Sequence, residues 1–162
     1  MCDIENTNDW QRYRREQASA YLRKIRDMRR HIAALNAEID EQRALASGLT
    51  GIDYSRDNVS TSPTDDAMPN AVARLLEIIA ERVELVRDYT GMLDECGTSL
   101  RDLNGTYGDV LRYRYLCDYP WERIAAATNY SEQWLYELHN QALSAFYDHM
   151  PPTQRDPMPK AI

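Results

Sequence analysis

The sequence predicts an all-α fold, and three observations carry that expectation. The chain of 162 residues holds only 6 Gly and 1 Phe with few β-branched residues, a composition that disfavours sheets. Apolar residues recur at helical spacing over two long stretches, and three shorter C-terminal segments are each bounded by helix start and stop signals. The size fits one domain, or one modest domain with an appendage.

In the first stretch, Ala18, Tyr21, Ile25, Met28, Ile32, Leu35, Ile39, Gln42, Ala46 and Leu49 alternate steps of three and four, which is a heptad seam. At about 1.5 Å per residue a helix carrying it is roughly 48 Å long, so the pattern predicts a coiled-coil arm. Gln42 weakens one layer of the seam and is a candidate for setting register or partner choice. Residues 47 to 69, SGLTGIDYSRDNVSTSPTDDAMP, have no helical period and are rich in turn formers, so they predict a loop. Thr64, Asp65 or Asp66 is suited to cap the next helix, and Pro69 is tolerated in its first turn.

The second stretch runs from about Asn70 to Leu103. Val72, Leu75, Leu76, Ile79, Val83, Val86 and Leu93 lie on one side, with Ile78, Leu85 and Met92 as a shoulder. Two helices joined by one connection pack antiparallel, and the first covers about one stripe, so the shoulder is expected to meet a dimer partner or the C-terminal module. Gly91 and Gly97 each cost roughly 1 kcal/mol in a helix interior, which predicts a kink or break near them. Asn104, Gly105 and Gly108 mark a boundary. The expected organisation is an arm over 1–104, a second unit over 105–150, and a proline-rich tail, 151–162, without fixed structure.

Three helical segments follow the boundary, YGDVLRYRYLCD, PWERIAAAT and SEQWLYELHNQALSAFYDHM. Pro120 suits a helix start, Ser131 is a good N-cap, and Pro151 with Pro152 ends the last helix. From Trp121 to Asn140 the pattern is that of a helix-turn-helix: Ile124 is placed in the core, Ala125 sits where the helices touch, and Asn129 tolerates the left-handed turn between them. Trp121 opens the first helix and is expected in the core. Ser131, Glu132, Gln133, Tyr136, Glu137 and Asn140 then form the exposed face for a major groove, where Gln and Asn can read adenine and Glu can accept from cytosine. Arg112, Arg114 and Arg123 are the candidates for backbone contacts, although Arg112, Asp109 and Glu122 can equally form local ion pairs of little worth.

The run VLRYRYLCDYPWERIAAATNYSEQWLYELHNQALSAF, residues 110 to 146, resembles region four of bacterial sigma factors. There an Arg-Tyr-Leu helix, a Trp-Glu-x-Ile-Ala helix and a Ser-capped recognition helix follow in this order. The upstream half, with RKIRDMRRHIAALNAEIDEQRALA, VSTSPTDDAMPNAVARLLEI and the second long helix, resembles small phage- and prophage-encoded proteins that place a helical arm before such a module, the layout of RinA-like late-gene transcription activators. The resemblance implies a long antiparallel helical hairpin, coiled-coil-like, with a C-terminal helix-turn-helix bundle of sigma-region-four type. It also implies double-stranded DNA as ligand, with RNA polymerase as an alternative, protein-class partner, since region four itself docks there. A homodimer joined by the arm would link two modules.

This chain departs from that pattern in charge. No Lys or Arg occurs between Arg123 and Arg155, and the module from Tyr107 to Met150 is net acidic, so a lone module is expected to bind DNA weakly. Basic residues are concentrated instead between Trp10 and Arg30, where Arg12, Arg14, Arg15, Arg23, Lys24, Arg26, Arg29 and Arg30 face only Glu16 and Asp27. Opposite charges flanking a coiled-coil seam are the ordinary way to set pairing, so this cluster is read as the complement of Glu77, Glu81, Glu84, Asp88, Asp94 and Glu95; a phosphate-contacting helix or a site for an acidic protein is the functional alternative.

The net charge of −7 excludes a nonspecific nucleic-acid coat protein. Cys2, Cys96 and Cys117 are far apart and lack clustered His, so they predict reduced thiols rather than a disulfide framework or a zinc site. No apolar run approaches the ~20 residues that span a bilayer, and MCDIENTNDW lacks the order of a signal peptide, so a cytoplasmic protein without a membrane partner is expected. His31, His139 and His149 are isolated, and Ser131 is accounted for as a cap. No catalytic constellation can be assembled, and neither enzyme activity nor a cofactor or metal is expected.

Overall fold

A computed structural model describes residues 7–50 and 67–156, without the side chains of 48–50 and 67–68. It is all-helical, and no strand occurs among the described residues. The helices are α1 (Thr7–Thr50), α2 (Ala67–Arg101), α3 (Gly105–Leu111), α4 (Trp121–Thr128) and α5 (Glu132–His149). A π-helical turn, Arg112–Leu116, extends α3, and a 3-10 turn, Pro152–Gln154, follows α5. The expected loop narrows accordingly, because its first four and last three residues are helical; its centre and the capping candidates Thr64, Asp65 and Asp66 lie outside the described residues.

The chain divides into two compact units, residues 28–89 and a unit that joins residues up to 27 with those from 90 onward. The expected division at 104/105 therefore falls inside the second of these. In the 28–89 unit, Leu35 and Ile39 of α1 bury Ile78 of α2, with Leu75, Ile79 and Leu85 packed around them. The ion pairs Glu38–Arg74 (3.6 Å) and His31–Glu81 (3.7 Å) step in opposite directions along the two helices, so these segments run antiparallel. Ile78 and Leu85, expected to await a separate cover, are thus the residues that α1 covers. Val72, Leu76 and Val83 of α2 and Leu45 of α1 stay exposed instead.

The other unit holds the larger core. Ala18, Leu22 and Ile25 of α1, Cys96 of α2, Leu111, Ile124, Leu135 and Phe146 are completely or nearly completely buried. Tyr21 stacks on Phe146 at 6.2 Å, so the first third of the heptad seam packs on α5. α2 runs unbroken through Gly91 and Gly97, contrary to the expected break. Burial of Cys96, Ser99 and Leu100 around the second glycine supplies packing that outweighs a propensity cost near 1 kcal/mol. Gly108 has a positive use: a Cβ there would stand 3.2 Å from the Leu100 carbonyl oxygen, so α3 approaches the end of α2 through a residue without a side chain.

Residues 151–156, expected without fixed structure, fold back onto the unit. The Arg155 guanidinium lies over the Tyr147 ring at 5.3 Å and donates to the Met150 carbonyl. Asp156 exchanges hydrogen bonds with Gln17, and its carbonyl accepts from the Tyr13 hydroxyl at 3.0 Å. The rest of the proline-rich tail, 157–162, lies outside the described residues.

Candidate nucleic-acid interface

The candidate site is built on α4 and α5, and local chemistry explains how they are joined. Pro120, extended at ψ 159, opens α4, where its fixed ring geometry suits a helix start. Asn129 takes the left-handed conformation at φ 58 and ψ 25, closing α4 as its side chain type predicts. Ser131 then caps α5, its hydroxyl accepting from the Trp134 backbone N–H at 3.2 Å. Met150 leaves α5 extended, as the residue before Pro151 must.

α5 is two-faced. Leu135 and Leu138 enter a cluster with Val110 and Ile124, against which Tyr107, Tyr113, Tyr119, Trp121 and Ala125 pack. Ser131, Glu132, Gln133, Tyr136, Glu137 and Asn140 are all exposed, as the sequence predicts. Gln133 and Asn140 are seven residues apart, two helical turns, and so share a face. Trp134, Tyr136 and Tyr130, at and just before the acidic start of α5, expose 45%, 47% and 40% of their surface.

Trp121 lies at the edge of the core rather than inside it. Its ring meets Tyr136 at 4.9 Å and the edge of His139 at 5.1 Å, and the Arg114 guanidinium covers it at 4.9 Å. Amphipathic rings with one polar neighbour are commonly held half-buried in this way. Arg114 also donates to the Tyr119 carbonyl at 3.0 Å, and Arg123 lies over the Tyr119 ring at 3.8 Å. Arg114 is thereby brought beside His139 of α5, whereas Arg123 is held on the Tyr119 ring ahead of α4. Arg112 is placed differently: it faces the thiol of Cys96 on α2, whose pKa burial pushes up to about 12 against the opposing pull of the Arg112 charge.

His139 stands within this cluster. Its Nε2 is 3.0 Å from the Tyr115 hydroxyl, and the two rings stack at 5.8 Å. Burial, and then the positive charge of Arg114, bring its pKa down to about 4, so the ring is neutral near pH 7. No group of side chains able to hold a metal ion occurs among the described residues.

The basic cluster of α1 contributes a part that the sequence left between two readings. Arg12 pairs with Asp9 and Glu16 of its own helix, Arg26 with Asp27, and Arg14 with Asp148 of α5. None of these three arginines pairs with an acid of α2 among the described residues. Arg14 further donates to the Ser144 carbonyl at 2.9 Å and lies over the rings of Trp10 and Tyr147. The signal for this docking was the aromatic Trp10 and Tyr13 ahead of the seam, which a heptad reading passes over.

No helix among the described residues is long and apolar enough to cross a membrane. Comparisons with family models, with curated proteins and with solved structures found nothing that matches this chain.

Proposed function

We propose that this chain is a DNA-binding transcription regulator of phage or prophage type, in which α4 and α5 form a helix-turn-helix and α5 enters the major groove. The observation that carries the reading is the division of α5: a buried Leu135/Leu138 edge that fixes the helix, and an exposed face of Ser131, Glu132, Gln133, Tyr136, Glu137 and Asn140 that the core leaves unused. Arg114, beside His139 of α5, and Arg123 of α4 are the arginines assigned to backbone contacts in this reading. The antiparallel segments of α1 and α2 form the arm, and the exposed Leu45, Val72, Leu76 and Val83 supply the surface on which a second copy packs. Linking two modules offsets the weak binding of one.

The test is base preference. Gln133→Ala with Asn140→Ala removes the two amide side chains suited to adenine, each good pair being worth about 1–3 kcal/mol of discrimination. Affinity for a selected duplex should fall toward that for a scrambled one, with the fold intact by circular dichroism. Unchanged preference would sink the reading.

The exposed Tyr130, Trp134 and Tyr136 beside Glu132 and Glu137 favour a second reading, a protein-interaction adaptor that docks on RNA polymerase or another protein. Alanine at Trp134 separates the two, since it should abolish protein capture in the second and leave base preference standing in the first.

A further inference from the structure

We propose that a groove between α1 and α5 is a binding site for the phosphate backbone of a nucleic-acid duplex, and that Arg12, Arg15 and Arg23 of α1 supply the cationic contacts that α5 lacks. The proposal rests on the reading that α5 enters DNA. The groove has a volume of about 260 Å³, and Asn140 of α5 lines it together with these three arginines. Asn140 therefore belongs at once to the base-reading face and to the groove, so a duplex lying against α5 passes directly over the arginines.

Three features fit the groove to phosphate. Arg12, Arg15, Ser19 and Arg23 lie on one side of α1 at steps of three and four residues and span ~16 Å, the reach of several successive phosphates. Glu16 also lines the groove and pairs with Arg12 at 3.9 Å, but that pair is exposed, and such pairs hold their partners weakly. Arg12 also pairs with Asp9 at 3.3 Å, outside the lining, so three arginines stand against two carboxylates and the groove remains positive. His139 at its wall is neutral near pH 7 and adds no charge.

The segment is also held in place. Arg14, on another side of the same helix turn, is anchored to Asp148 and to the Ser144 carbonyl, while Tyr13 and Gln17 hold Asp156. The arginine row is thereby fixed against α5 before any ligand arrives, which reduces the ordering cost of binding. An extended polyanion fits this row better than a small anion, because the charges are strung along a helix rather than converging on one point.

The experiment uses the full chain and a duplex recovered on it from a randomised pool, followed by fluorescence anisotropy at about 50 and 200 mM salt. The variant Arg12→Gln/Arg15→Gln/Arg23→Gln keeps good helix formers on the surface of α1, and Arg12→Lys/Arg15→Lys/Arg23→Lys keeps the charge. Neutralising three phosphate contacts should flatten the slope of log K against log salt by about 2.7, so that wild type loses ~40-fold more affinity over this range than the Gln variant. The Gln variant should keep its preference over a scrambled duplex, and the Lys variant should keep the wild-type slope. Selective wild-type binding with an unchanged slope in the Gln variant overturns the groove and leaves the proposed function standing. A lost slope with no base preference in wild type supports the groove and overturns base reading by α5. No duplex binding by wild type at the lower salt overturns both.

Discussion

Replacing His139 by Gln should flatten the acid limb of the stability profile. In the folded chain the ring is buried beside Tyr115 and Trp121 and faces the Arg114 charge, which together bring its pKa to about 4. In the unfolded chain it titrates near 6.5. Between these values the unfolded chain binds the additional proton, so stability is fully present above about pH 6.5 and is lost as pH falls toward 4. Integrated from about pH 7 to about pH 5, the loss is roughly 2 kcal/mol. Urea denaturation of wild type and His139→Gln at the two pH values isolates this contribution, because every other titrating group is common to both. The variant should lose about 2 kcal/mol less than wild type over that interval, whatever its absolute stability. Equal losses would refute a buried, neutral His139 and with it the account of a groove wall without charge.

Further predictions concern the helices and the arm. Gly91→Ala, where a Cβ meets nothing within 4 Å, should stabilise the chain by about 0.5–1 kcal/mol in thermal or urea melts, whereas Gly108→Ala should gain nothing or destabilise because its Cβ meets the Leu100 carbonyl at 3.2 Å. Ser131→Ala should cost about 1 kcal/mol, read by the same melts, through loss of the cap on the Trp134 N–H. Leu76→Glu with Val83→Glu places charge on residues exposed by 61% and 55%, so helicity should be unchanged while sedimentation shows a dimer reduced to monomer.

The parts of the fold legible in the sequence are those fixed by a residue's own chemistry. Asn129 could be assigned to a left-handed turn and Ser131 to a cap because each acts within four residues of itself. The two faces of α5 follow from its 3.6-residue period in the same way. What a period cannot name is the partner of an apolar face. The seam from Ala18 to Ile25 packs on α5 through Tyr21 and Phe146, residues far apart in sequence, and Leu22, outside the strict heptad, is buried with it. The shoulder residues Ile78 and Leu85 face α1 for a related reason: on a stripe this broad, several rotations bury comparable area, and the contacts of Leu35 and Ile39 decide among them. The place of Arg12, Arg15 and Arg23 beside Asn140 depends on that docking, so the charge of the site was visible in the sequence while its location was not.

The measurement that bears most directly on the central claim is the titration of full-length protein against labelled duplex from its own genomic neighbourhood, with a scrambled duplex of the same composition as control, at two salt concentrations. The account predicts tighter binding of one natural fragment than of its scrambled control, with affinity falling steeply as salt rises. Equal binding to natural and scrambled duplexes, or none at the lower salt, would contradict it and move the exposed face of α5 to a protein partner.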